Sequence, residues 1–221
     1  MPVPGAARRS WKRPLGLVLL LLVAIATIAL TWDTEYCSIK DHFIPRRFAT
    51  VVPDQLFRSG QIDPGLIEKV LAQHKIEVVV DLTPAVADCP EQAAEQRAVD
   101  RLGVEYHRFP LKGDGTGDVA RYCDAVATIA RAQAAARPLL VHCQAGDKRS
   151  GGVVAAYLLL CKGASAGDAM AQLGLFNQKH VASSTVVDYL NAHLEEIAAT
   201  LRADGVTVAS TEALPRLVGG G

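Results

Sequence analysis

The sequence has no excess of either charge, no CxxC pair, no internal repeat and no histidine spacing suited to a metal. Its 23 Lys and Arg balance 23 Asp and Glu across 221 residues. Nothing global therefore attracts nucleic acid or an acidic polymer, and any affinity for anions has to come from a local site. The five cysteines, Cys37, Cys89, Cys123, Cys143 and Cys161, are scattered and odd in number. That excludes a dense disulfide framework and a cysteine zinc site, and Cys123 and Cys161 read as small buried hydrophobes on helices. His74, His107, His180 and His193 stand at no ligand spacing, so neither a metal nor an organic cofactor is called for. What the chain does have is apolar residues, 50% of the total, enough for one catalytic-size domain with appendages.

The amino-terminal part is unlike the rest. Residues 1–13 hold Arg8, Arg9, Lys12 and Arg13 without an acid, and Leu15 to Trp32 carry no charge. A spanning helix needs about 20 apolar residues, and a cleaved signal a core of about 7–15. The expectation is a transmembrane signal anchor over residues 14–32. The alternative is a cleaved signal, and Ala24-Ile25-Ala26 fits a cleavage site but lies inside the apolar run. The basic flank then stays cytoplasmic, and the globular part lies outside the cytoplasm, in the periplasm of a Gram-negative cell. Residues 33–49, with Pro45-Arg46-Arg47, read as a linker, 50–202 as the catalytic domain, and 203–221, ending in three glycines, as a flexible tail.

Within 50–202 strand and helix signals alternate. Short β-branched or alternating runs at 56–58, 76–82, 104–109 and 138–142 predict strands. Helices are predicted from Asp63-Pro64 to His74, Pro90 to Leu102, Asp118 to Ala136, Ser150 to Lys162, Ser165 to Gly174 and Ser184 to Arg202. The class is α/β, a mainly parallel central sheet with helices on both faces. Ligands in such sheets sit at the carboxyl ends of the strands.

One segment carries chemistry. His142-Cys143-Gln144-Ala145-Gly146-Asp147-Lys148-Arg149-Ser150-Gly151 joins a buried strand to a helix. A tight loop feeding a helix amino terminus turns several N–H groups and the positive dipole end toward one point, a cradle for a single phosphate. Cys143 stands at its strand end, where a helix terminus and cations lower a thiol pKa by several units. The thiolate is then a nucleophile that needs no metal. Arg149 offers a planar fork to two phosphate oxygens. Ser150 is placed to ease departure of the sulfur, and His142 to tune it. Gln144, Ala145, Gly146, Asp147 and Lys148 supply the phosphate-binding backbone.

This string resembles the signature loop of the cysteine-dependent protein tyrosine phosphatase superfamily. Val52-Pro53-Asp54-Gln55-Leu56-Phe57-Arg58-Ser59-Gly60-Gln61 resembles the opening strand of its dual-specificity branch, nearest the atypical type of plants, fungi and bacteria. The resemblance spans roughly residues 50–195 and implies two steps through a phosphocysteine, with a general acid on the loop before the helix that precedes the signature strand. Asp114, between glycines, is the expected acid and Asp118 the alternative, although Asp118 also suits a helix N-cap. Asp147 receives no catalytic role, because a carboxylate there opposes phosphate unless it faces solvent. Expected substrates are phosphotyrosine and phosphoserine/threonine in proteins. A phospholipid or inositol phosphate is the alternative, weakly favoured by Lys148 and Lys112. A catalytically weak phosphate-binding module is the rival from another class, and a sulfurtransferase also uses a loop cysteine, but Arg149 with Ser150-Gly151 suits phosphate.

Overall fold

The computed structural model describes residues 16, 18–23, 39–176, 185–209 and 214–217. The chain divides into two compact units, Met1–Phe43 and Ile44–Gly221. In the first, residues 18–23 are helical with exposed side chains, and Ile39–His42 forms a 3-10 turn. Among the described residues no helix is long and apolar enough to cross a membrane. Most of the expected span, 14–32, lies outside the described residues.

The second unit is built on five strands, β1 (Ala49–Val52), β2 (Leu56–Ser59), β3 (Val78–Asp81), β4 (Glu105–Arg108) and β5 (Leu139–His142), in the order β1-β2-β5-β3-β4. Only β1 runs antiparallel; β2, β5, β3 and β4 are mutually parallel. The helices are α1 (Ile67–Gln73), α2 (Pro90–Leu102), α3 (Val119–Ala134), α4 (Lys148–Lys162), α5 (Ala166–Gly174) and α6 (Thr185–Ala203).

The period of two along each strand sorts its side chains between the faces. Leu56, Val78, Val80, Leu139 and Val141 pack with α3, α4, α5 and α6, while Phe57, Val79 and Leu140 pack with Ile67, Val70, Leu71, Ala94, Ala98 and Val99 of α1 and α2. All four residues of β5 are buried. The strand that delivers Cys143 is thus the central one, and each Leu or Val there gains about 1.5–3 kcal/mol from burial.

Three boundaries depart from the sequence reading. The expected linker 33–49 already belongs to the domain at its far end: Gly60 N donates to Arg46 O at 2.7 Å, Phe48 stacks on Phe57, and β1 begins at Ala49. Helix α1 starts at Ile67 rather than after Asp63, because Asp63 first closes a turn, its carboxylate accepting from Gly65 N at 2.8 Å. The expected flexible tail 203–221 is tied to the domain at several described points. Val206, Val208, Leu214 and Leu217 join the core, Ala209 N donates to Leu160 O at 2.7 Å, and the Asn191 amide brackets the Leu217 backbone from both sides.

Candidate active site

The loop from Cys143 to Asp147 closes over the carboxyl end of β5. Gly146 has φ +75°, and a Cβ there would lie 2.4 Å from Gly60 N, so the chain crosses the β2 turn where no side chain fits. The loop carbonyls are tied outward one after another. Gln144 O accepts from Gln61 N at 3.0 Å, Ala145 O from Arg47 Nη1 at 3.1 Å, and Gly146 O and Asp147 O from Arg58 Nη2 at 3.1 and 3.0 Å. In a trans peptide the C=O and the following N–H point opposite ways, and no described peptide is cis. The N–H groups of residues 145–148 are therefore turned inward, beside the first turn of α4.

Inside this cup sits Cys143, 1% exposed; Gly146 N donates to its Sγ at 3.2 Å, and Sγ and Ser150 Oγ are hydrogen-bonded at 3.7 Å. Burial works against an ionised sulfur, but the Arg149 guanidinium, the Ser150 amide and hydroxyl and the Gly146 amide outweigh it and hold the thiol below its ordinary value. Arg149 is itself buried, anchored by Nη1 on Leu82 O at 3.3 Å. Sulfur, cation and inward amides thus share one water-poor concavity.

Arg58 is the residue that sequence reasoning missed. It is fully buried, binds Gly146 O, Asp147 O and Gln172 O, and lies over the Phe176 ring. A Cβ on Gly151 would come within 2.9 Å of its guanidinium, which explains why a glycine follows Ser150 in a helix. The one visible signal is a charge between Phe57 and Ser59 in a strand. Arg58→Met takes the side-chain donor from Gly146 O and Gln172 O, while Asp147 O keeps Gly151 N; since unpaired buried groups cost about 1–3 kcal/mol each, thermal or urea unfolding is expected to show a loss of about 2 kcal/mol or more, with weaker inhibition by vanadate.

Asp147 does not face solvent as the sequence reading required. It is 7% exposed, Oδ2 lies 4.0 Å from Arg47 Nη1, and it also feels the Arg58 charge. Those two cations neutralise it away from the cup. Lys148, half-buried, opens α4 beside Gly115 of the 112–117 loop, whose Cβ position is 3.2 Å from the Lys148 Cβ.

That contact places the Asp114 loop on the rim. Asp114 Oδ1 accepts from Thr116 N at 3.0 Å and Thr116 Oγ1 at 2.8 Å, and these donors hold its carboxyl below the usual range. Tyr122, buried behind the loop, donates to Gly115 O at 3.0 Å and senses the charges of both Asp114 and Cys143. Asp118 caps α3, accepting from Ala120 N at 2.9 Å, and its charge reaches Tyr189 instead.

Behind the cysteine, His142 and Asp81 are register neighbours on β5 and β3, and Arg108 faces Asp81 from β4. Glu95 of α2 lies over the row, Oε1 3.0 Å from His142 Nε2. Asp81, Glu95 and His142 offer ligand atoms within 4.8 Å of one another, the one such group among the described residues. Both Asp81 oxygens are already taken, by Thr83 N, Thr83 Oγ1, Tyr106 Oη and Arg108 Nε. With a guanidinium at 2.9 Å, the set suits a proton better than a metal ion.

A cavity of about 290 Å³ near Gln55, Tyr157 and Cys161 lies at the opposite ends of the strands. Burial pushes the Cys161 thiol up to about 11, so no nucleophile is offered there.

The model of the family "Dual specificity phosphatase, catalytic domain" matches residues 62–196. Dual specificity protein phosphatase Mpk3 of Drosophila melanogaster is 31% identical over 124 residues, covering 56% of this chain and 28% of that protein; the chain therefore spans under a third of that relative's length. Among solved structures, PTPMT1 in complex with PI(5)P superposes with TM-score 0.56 at 17% identity, covering 69% of this chain and 97% of the other. The catalytic core of the PP-IP phosphatase SIW14 from S. cerevisiae superposes with TM-score 0.55 at 16% identity over 74% and 97%. At such identities these structures establish the fold alone. The matched family segment contains the whole loop from Cys143 to Arg149, and the chain belongs to the dual-specificity phosphatase branch of the cysteine-dependent protein tyrosine phosphatases.

Proposed function

We propose that this cysteine-dependent phosphatase hydrolyses phosphate monoesters of proteins, phosphotyrosine with phosphoserine/threonine, by two displacements at Cys143. The observation that carries the reading is the run of outward-tied carbonyls around a buried, charge-stabilised sulfur. The inward N–H groups of the loop and the Arg149 fork hold the nonbridging phosphate oxygens. The Cys143 thiolate attacks phosphorus, the P–O ester bond breaks, and Asp114 gives its proton to the departing oxygen. Water then attacks the S-phosphocysteine, Asp114 takes the proton, the S–P bond breaks, and the Ser150 hydroxyl donates to the released thiolate. His142 stabilises the anionic sulfur from behind.

Asp114 is assigned as the acid because its loop abuts Lys148, while Asp118 is engaged at a helix end. To act, Asp114 has to exchange the Thr116 donors for the leaving oxygen. Since positioned acid catalysis is worth about 10²–10⁴-fold, Asp114→Asn is expected to slow an alkyl phosphate by about that factor and an aryl phosphate less. The acid works only when protonated, so activity falls as pH rises through its pKa in the complex, and Asp114→Asn abolishes that alkaline limb. Asp118→Ala costs about 1 kcal/mol of stability through the lost cap and keeps the limb. A limb lost in Asp118→Ala instead reverses the assignment.

The second reading is a polyanionic substrate, a phosphoinositide or soluble inositol phosphate. Arg47, Lys112 and Lys148 around the loop support it, as does the PI(5)P bound to the similar PTPMT1 fold. Comparing kcat/KM for phosphopeptides with that for phosphoinositides and inositol phosphates decides between the two; a preference of about tenfold or more for the polyanions rejects the first. The anchor over 14–32, with 1–13 cytoplasmic and the domain outside the cytoplasm, rests on the apolar run and basic flank alone. Extraction of the full chain by carbonate, or protection of the domain from protease outside the cytoplasmic membrane, rejects it.

A further inference from the structure

The row behind Cys143 holds more charge than phosphate chemistry requires. Helix α2 is rich in alanine where it meets the sheet, yet among Ala94 and Ala98 it buries Glu95, 3% exposed. Its Oε1 lies 3.0 Å from His142 Nε2 and its Oε2 has no hydrogen-bond partner. Asp81 Oδ1 stands 3.8 Å from the same nitrogen. Asp81 is fixed as a carboxylate by four donors from Thr83, Tyr106 and Arg108.

Buried charge has to balance. Facing His142 are Glu95 from α2, Asp81 from β3 and Cys143 in its own chain; Arg108 and Tyr106 of β4 stand behind Asp81, and Arg149 lies across Cys143. Arg108 offsets one of the two carboxylates. A cationic ring offsets the second.

We infer that Glu95 is a positioning residue for the nucleophile: with Asp81 it faces His142 Nε2 and keeps the ring an imidazolium beside Cys143, where its charge adds to that of Arg149 in holding the sulfur ionised. Burial opposes the ring's charge, yet the two carboxylates push its pKa up to about 9, and Cys143 contributes in the same direction. Histidine and cysteine therefore hold each other charged. The device works for whichever phosphate ester is the substrate and rests on Cys143 as nucleophile.

Glu95→Gln removes one carboxylate from the ring, which then loses its proton at a lower pH; once neutral it no longer supports the thiolate, and the thiol pKa rises. The acid limb of kcat/KM and the pH dependence of Cys143 alkylation by iodoacetate are both expected to move up by about one unit, a roughly tenfold slower alkylation below the thiol pKa. His142→Asn gives a like shift, and adding Glu95→Gln to it gives no further one, as expected of a residue acting through another. Ring ¹⁵N shifts of the unsubstituted protein, assigned by comparison with His142→Asn, are expected to show both His142 nitrogens protonated at pH 7. A neutral His142 at that pH overturns the inference even if Glu95→Gln does not fold. So does a folded Glu95→Gln protein whose alkylation curve moves by less than about 0.2 units. Both readings are made without turnover, so neither depends on the substrate assignment.

Discussion

Cys143→Ser is expected to lower hydrolysis of an aryl phosphate by about 10⁵-fold or more, the scale on which covalent enzymes lose activity with their nucleophile. The cup is built for an anion that is easily formed. Arg149, the Ser150 and Gly146 amides and the Ser150 hydroxyl bring a thiol below its ordinary value against the penalty of burial. The same forces acting on an alcohol leave it protonated at neutral pH. Binding is spared: the inward amides and Arg149 remain, so Cys143→Ser is expected to retain phosphate or vanadate affinity within about threefold. The unsubstituted enzyme turns over in chelator and is blocked by vanadate. Steady-state rates with a generic aryl phosphate check all three; dependence on added metal contradicts the mechanism.

Replacement of Arg149 comes next in size. Arg149→Lys keeps the charge but loses the planar fork, and Arg149→Ala loses both. Removing one preorganised donor to developing charge costs about 10²–10³-fold, and Arg149→Lys is expected to fall by about that factor in kcat. Arg149→Ala should fall further, because Arg149 is the foremost of the groups that lower the Cys143 pKa. Its acid limb therefore moves to higher pH, while that of Arg149→Lys stays nearly in place. The two variants separate geometry from charge. An Arg149→Lys enzyme within tenfold of the parent would deny the fork its role.

The parallel core and the loop around Cys143 were legible because their causes are local. β5 announces itself by an unbroken apolar run, α2 by Pro90 at its start and Gly103 in the left-handed conformation just past its end, and the cup by ten consecutive residues. Asp118 as N-cap was equally readable, since a cap contacts an amide two residues on. Arg58 was not, because its partners lie 88 to 114 residues away in sequence. A charge in a strand acquires meaning only when the loop it ties down folds onto it. Glu95 was hidden for the same reason. It sits on a helix beside Ala94 and Ala98, and its partner His142 stands on a distant strand. The packed tail escaped notice because scattered Val206, Val208, Leu214 and Leu217 show no period, only a groove beside α4 and α6 to fill.

Covalent capture tests the central claim most directly. Mixing the enzyme with an excess of aryl phosphate, quenching within milliseconds and mapping the phosphopeptides by mass spectrometry reads out where phosphorus goes. The expected result is a burst of phenol stoichiometric with enzyme and a phosphoryl group on the sulfur at position 143, absent in Cys143→Ser. Turnover without that adduct, or a phosphoryl group carried on any other side chain, contradicts it.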